Sequence, residues 1–285
     1  MPAFPDGTIV NLPASLGLDG SFGVIVRWEP GADADRLRKV YGPRLLGFEA
    51  ESGRLGGPEA LGALAGEPVL VRLGDRRHIE DGELLDAFRR LRLAFLVRPD
   101  EELFRTANFL TSLGYPVRID LTAAVGSMEV LLRTLDFYLH NPVLSRPIEP
   151  FHSLLAAISS ASMRTLWEIE AEDPRLNFYV GSGGRISLSR RWSEGGRHFG
   201  TLDDPWLDII GSDLYLALGS WKARIFKERS PCAFCAHFDI CAGFLRAVDA
   251  VWPCESWQRA FDILREEVGK ARGLLGGRPA DPPAP

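Results

Sequence analysis

The chain has 285 residues, a net charge of -5 and 46% hydrophobic residues, which is enough apolar material for a full core and too much for a disordered chain. The acidic balance argues against nucleic-acid binding, which draws on a basic face. There is no run of 18 apolar residues, so no membrane span is expected; Met1–Asn11 has no basic segment leading into an apolar one, so no export signal is read and a cytoplasmic setting is expected.

The first 170 residues alternate strand-like and helix-like patterns. Gly23–Trp28 reads as a strand, Asp33–Tyr41 as a helix, Leu45–Glu49 as a short strand, Pro68–Leu73 as a longer one and Glu83–Leu91 as a helix. Leu93–Val97 is a continuous apolar run, as for a strand covered on both faces. Asp100 can cap a helix that aligns Leu103, Ala107, Leu110 and Leu113. Val117–Leu121 and Ser127–His140 add a strand and a helix. The order predicts four or five right-handed βα units in a mainly parallel sheet, too few for a complete eight-unit barrel. The expected fold is therefore α/β, with an open or partial (β/α) barrel-like domain over residues 1–174.

A second unit is expected over 175–275. Leu176–Val180, the turn Gly181–Gly184 and Arg185–Ser189 read as a β-hairpin, and Asp204–Leu218 contains a helix. Glu255–Leu275 is helical, with Trp257, Phe261, Leu264 and Val268 on one stripe. Residues 276–285 read as a Gly/Pro-rich disordered tail.

All four cysteines fall within this second unit, inside 23 residues: Cys232, Cys235, Cys241 and Cys254, spaced C-x2-C-x5-C-x12-C. Thiolates are soft, strongly donating ligands, and without an export signal clustered cysteines read as a metal site rather than as disulfides. Two residues between Cys232 and Cys235 let one tight turn aim both sulfurs at one centre. A zinc ribbon usually brings two such knuckles, and this chain has one; the irregular remainder suits a [4Fe–4S] cubane approached from several directions. Zinc and redox-thiol uses remain alternatives, as does a site that only staples a loop-rich segment.

The segment Pro231–Phe244 (PCAFCAHFDICAGF), followed by Cys254, resembles the SPASM domain attached to radical SAM enzymes that modify peptides and proteins. The resemblance implies that Cys232, Cys235, Cys241 and Cys254 hold a fully protein-ligated auxiliary [4Fe–4S] cluster, with Gly243 as a motif glycine. Phe178–Ser189 resembles the family's strand–turn–strand, with Ser189 at the position of its cysteine, and Leu245 stands where another cysteine is expected. The second auxiliary cluster is therefore expected to be lost. The family's C-x3-C-x2-C loop is missing, because no cysteine precedes residue 232. The resemblance thus implies a pseudo-radical-SAM protein that does not cleave SAM and accompanies a radical SAM/SPASM enzyme or its precursor peptide, as in GeoRSP-type systems. No nucleic-acid or membrane partner is expected. An electron carrier and a zinc-stapled binding module are the alternatives.

Weaker signals read as follows. His237 lies in the cysteine loop and could tune or ligate the centre. Arg190, Arg191, Trp192, Arg197 and His198 form a basic aromatic stretch, expected as a solvated loop. Trp252 and Trp257 flank Cys254 as shields or core. Asp120, Glu168 and Glu170 sit near strand ends but lack a partner base, nucleophile or cofactor motif.

Overall fold

A computed structural model of the chain describes residues 4–29, 31–55, 58–79, 87–121, 127–160, 164–247 and 254–274. Its frame is a ten-stranded sheet: β1 Ile9–Pro13, β2 Gly23–Arg27, β3 Leu45–Glu51, β4 Pro68–Arg72, β5 Arg92–Val97, β6 Val117–Ile119, β7 Ile148–Glu149, β8 Asn177–Val180, β9 Arg185–Ser187 and β10 Gly200–Thr201. The spatial order is β7-β6-β5-β4-β3-β2-β1-β8-β9-β10. Every pairing from β7 through β8 is parallel, and β9 and β10 add antiparallel ladders.

Period-two alternation divides the strands between two faces. Val10, Leu12, Val24, Val26, Val69 and Val71 are buried on one face, which helices cover. Ile9, Asn11, Ile25, Leu70, Arg72 and Arg118 line a cavity on the other. The helix Leu103–Ser112 buries Leu103, Ala107 and Leu110 as its spacing predicts, but Leu113 falls past the helix end and is exposed. Asp100 accepts from the Glu102 amide, one turn ahead of that helix. Ser127 caps Met128–His140 by accepting from the Val130 amide at 3.4 Å.

The structure is mixed α/β with a large, mostly parallel sheet, as expected, but it holds more parallel strands than the four or five units predicted. Ile9–Pro13 and Ile148–Glu149 were not anticipated: the first reaches β2 without an intervening helix, and the second is only two residues long. The hairpin β8–β9 forms as read, and β8 also pairs in parallel with β1, so one sheet runs across residue 174. The helix expected within Asp204–Leu218 is two, Trp206–Gly211 and Asp213–Gly219. Ser212 breaks them with an extended backbone (φ -64°, ψ 144°), and its hydroxyl accepts from the Tyr215 amide. Residues 83–86 of the helix read at Glu83–Leu91, the tail 276–285 and Trp252 lie outside the described residues. Among the described residues, no helix is long and apolar enough to cross a membrane.

Candidate metal centre and the concave cavity

Three separate pieces of backbone carry the cysteines. A 3-10 turn, Pro231–Phe234, is capped by Ser230, whose hydroxyl accepts from the Cys232 amide, and the Cys235 amide donates back to the Cys232 carbonyl at 3.2 Å. That turn places Cys232 and Cys235 side by side. Cys241 ends the short helix Phe238–Cys241, which Ala242 stops in the left-handed conformation (φ 46°). Cys254 is the first residue of the 21-residue helix Cys254–Leu274. All four thiols line one cavity of about 100 Å³, together with His237, Leu245 and Gln258.

The Cys241 thiol shows how close the group is. Burial, chiefly, and the neighbouring Cys254 and Cys232 push it up to about 11, while the Gly243 and Leu245 amides aimed at its sulfur favour the thiolate. The Gln258 amide reaches Cys235 Sγ at 3.6 Å. Among the described residues, no three His, Cys, Asp or Glu side chains are gathered tightly enough to hold a single ion. His237 is buried and its Nδ1 has no hydrogen-bond partner among the described residues, while Nε2 lies 3.3 Å from Asp262. Burial holds its imidazole below the ordinary histidine value.

Two tryptophans pin the Cys241 loop. Trp167 Nε1 donates to the Ala242 carbonyl at 3.1 Å and its ring meets Phe244 edge-on at 5.3 Å. Trp221 Nε1 donates to the Gly243 carbonyl at 3.2 Å. The long helix buries Trp257, Phe261, Leu264 and Val268 as predicted, and Arg265 ties it to Asp239 at 2.8 Å. Trp257 is fully buried and therefore forms core beside the thiols.

The second feature is a cavity of about 820 Å³ on the free face of the sheet. Its wall carries a chain of charges contributed by strands far apart in sequence. Arg72 pairs with both Asp120 and Glu49, and Asn11 donates to the other Glu49 oxygen at 2.6 Å. Arg118 donates to the Ile169 carbonyl at 2.7 Å and reaches Glu170 at 3.4 Å. Glu172 is 6% exposed; burial first, then the Glu170 charge, pushes its carboxyl up to about 8.

The sequence singled out Asp120 and Glu170 only as ordinary strand-end residues, and the structure brings both to this wall; it missed Glu49, Arg72, Arg118 and Glu172. Period-two alternation with charges at inward positions was the available signal. The basic stretch after the hairpin is not the expected solvated loop. Arg190 pairs with Glu51 at 2.6 Å and with Glu194 at 2.7 Å, and Trp192 is buried with Arg197 over its ring. Ser189 lines the large cavity, whereas Leu245 lies beside the thiols.

No protein-family model matches this chain, and no curated protein or solved structure matches it.

Proposed function

We propose that the chain is an iron–sulfur accessory protein of a radical SAM peptide-modification system in the cytoplasm. In this reading Cys232, Cys235, Cys241 and Cys254 hold one [4Fe–4S] cluster, and the protein binds the partner enzyme or its precursor peptide. The open parallel sheet is a degenerate radical-SAM-like barrel, and the hairpin with the cysteine segment is its SPASM-like unit. The observation that carries the reading is that four thiols from three pieces of backbone ring a single cavity.

The donor set fits the group. Four thiols and backbone amides directed at sulfur are the environment a cubane uses, and its potential is tuned by such hydrogen bonds. The single C-x2-C pair and the irregular spacing of the other two thiols favour a multi-iron centre over one zinc ion. A bound cluster would supply one-electron redox capacity. All four cysteines are partly exposed and Phe234 beside them is 80% exposed, which favours electron transfer as the second reading, because it leaves the centre near the surface.

Iron, acid-labile sulfide and zinc are to be measured in protein purified without oxygen. The expected result is about four irons and about four sulfides per chain. One zinc without sulfide would overturn the cluster and leave a structural binding module.

A further inference from the structure

Four buried polar atoms with no hydrogen-bond partner among the described residues line the concave cavity: Glu170 Oε1, Glu172 Oε2, Ser189 Oγ and Arg72 Nε. Buried polar groups are nearly always satisfied, and leaving one unsatisfied is unfavourable, so a group of them on one wall points to a missing partner. Three of the four are acceptors. Glu172 is 6% exposed, the Glu170 side chain is 5% exposed, and the Ser189 hydroxyl approaches Glu172 without completing a bond of good geometry.

Beside these acceptors two carboxyls, Glu170 and Glu172, face one guanidinium. Arg118 faces Glu170 and is the cation the two carboxyls share, while Asp120 adds further negative charge nearby. Arg72 is committed to Asp120 and Glu49, and Arg190 to Glu51 and Glu194. Ile25, Leu70, Ala94 and Leu96 give the cavity an apolar stretch, and Arg89, Arg92 and Arg146 also line it. Its volume suits a small ligand or a short stretch of peptide.

We propose that this cavity binds a primary ammonium group carried on an aliphatic stem, with Glu170 Oε1, Glu172 Oε2 and Ser189 Oγ accepting its three N–H donors. An ammonium has three donors and no acceptor, which matches three unsatisfied acceptors, two of them on carboxyls that share the single guanidinium of Arg118. The stem lies along the apolar wall, as lysine methylenes do elsewhere. A single metal ion is the poorer fit, because among the described residues no three acidic, His or Cys side chains converge on a point. A lysine side chain of a bound peptide and a free alkylamine share this chemistry. The peptide source rests on the proposed function, but the site itself does not.

The test is calorimetric titration of the full-length protein, purified without oxygen, at pH 8.5 with three probes: n-pentylammonium, Nα-acetyl-lysine N-methylamide and 1-pentanol. Both ammonium probes are expected to bind at least tenfold more tightly than pentanol, and Glu172→Gln and Glu170→Gln each to weaken them at least tenfold. Tighter binding of the blocked lysine identifies a peptide side chain as the source; tighter binding of pentylammonium identifies a free amine. Pentanol binding as well as pentylammonium, or both Gln variants binding like the wild type, would overturn the proposal. Gln is nearly isosteric and removes a buried charge, so a urea unfolding curve for each variant shows that lost binding is not lost folding. Iron and sulfide assays on the same samples keep the two readings apart: amine binding can fail with the cluster intact, and the cluster can be absent with amine binding intact.

Discussion

Replacing Gly243 by alanine tests whether the cysteine loop is held by close packing or only by the cluster proposed to bind there. Gly243 has φ +76°, which disfavours any L side chain, and an added Cβ would stand 2.7 Å from Trp221 Nε1 and closer still to Ile225 Cδ1. Neither neighbour can give way cheaply, because Trp221 donates to the Gly243 carbonyl and Ile225 is buried. The left-handed backbone costs about 1 kcal/mol, overpacking about 1–3, and a disturbed tryptophan hydrogen bond about 1. Together these predict a destabilisation of about 3–5 kcal/mol, a large share of a typical domain's total. Gly184→Ala is the control: its φ is +72°, but its Cβ would meet only Leu202, at an ordinary 3.8 Å, so it isolates the backbone contribution of about 1 kcal/mol. Urea midpoints of both variants give the comparison, and iron content reports whether Cys241 has moved. If Gly243→Ala destabilises no more than Gly184→Ala, the packing around this loop is not what holds it.

Cys235→Ala removes one of the four thiols and should strip most of the iron and lower the melting temperature of iron-loaded protein, since metal binding is coupled to folding; unchanged iron content would remove Cys235 from the ligand set. Trp167→Phe keeps the ring against Phe244 and deletes the donor to Ala242, so it should cost about 1 kcal/mol in urea unfolding and quicken iron loss to a chelator. Glu172→Gln should flatten the pH dependence of stability. With its folded-state value raised from 4.5 to about 8, the native carboxyl stabilises the fold most below pH 4.5 and that stability is lost as pH rises towards 8, so the variant should gain on the wild type at pH 8; identical urea midpoints for the two at every pH from 5 to 8 would contradict this. Ser189→Cys should leave the iron count unchanged, because residue 189 faces the large cavity while Leu245 sits with the other thiols.

The two sites differed in how far the sequence disclosed them, and the reason is distance along the chain. The thiol centre was legible because Cys232, Cys235 and Cys241 are local, and residue type and spacing carry the chemistry. The long helix bearing Cys254 was equally legible from its stripe of Trp257, Phe261, Leu264 and Val268. The concave wall was not, because Asn11, Glu49, Arg72, Arg118 and Glu172 lie on five separate segments, and only the strand order makes neighbours of them. Alternation tells which way such a residue points, not which charge it will meet. β2 to β6 were visible as apolar runs, whereas β7 is too short to show a period and β1 is cut off at Pro13. Phe151–Ser160 escaped notice because only Phe151, Leu154 and Ala157 are buried in it, and no charged face opposes them.

The pairing of β8 with β1 sets an order of events during synthesis. β1 is made before β8, and the strand that covers its outer edge arrives 168 residues later, Asn177 pairing with Ile9. Until then Ile9 and Asn11 present unpaired amides and carbonyls, the kind of edge that recruits strands from other chains. A nascent or truncated chain ending near residue 174 would thus be sticky at a place where the finished protein is sealed. The cysteine-bearing half consequently guards the solubility of the half made before it.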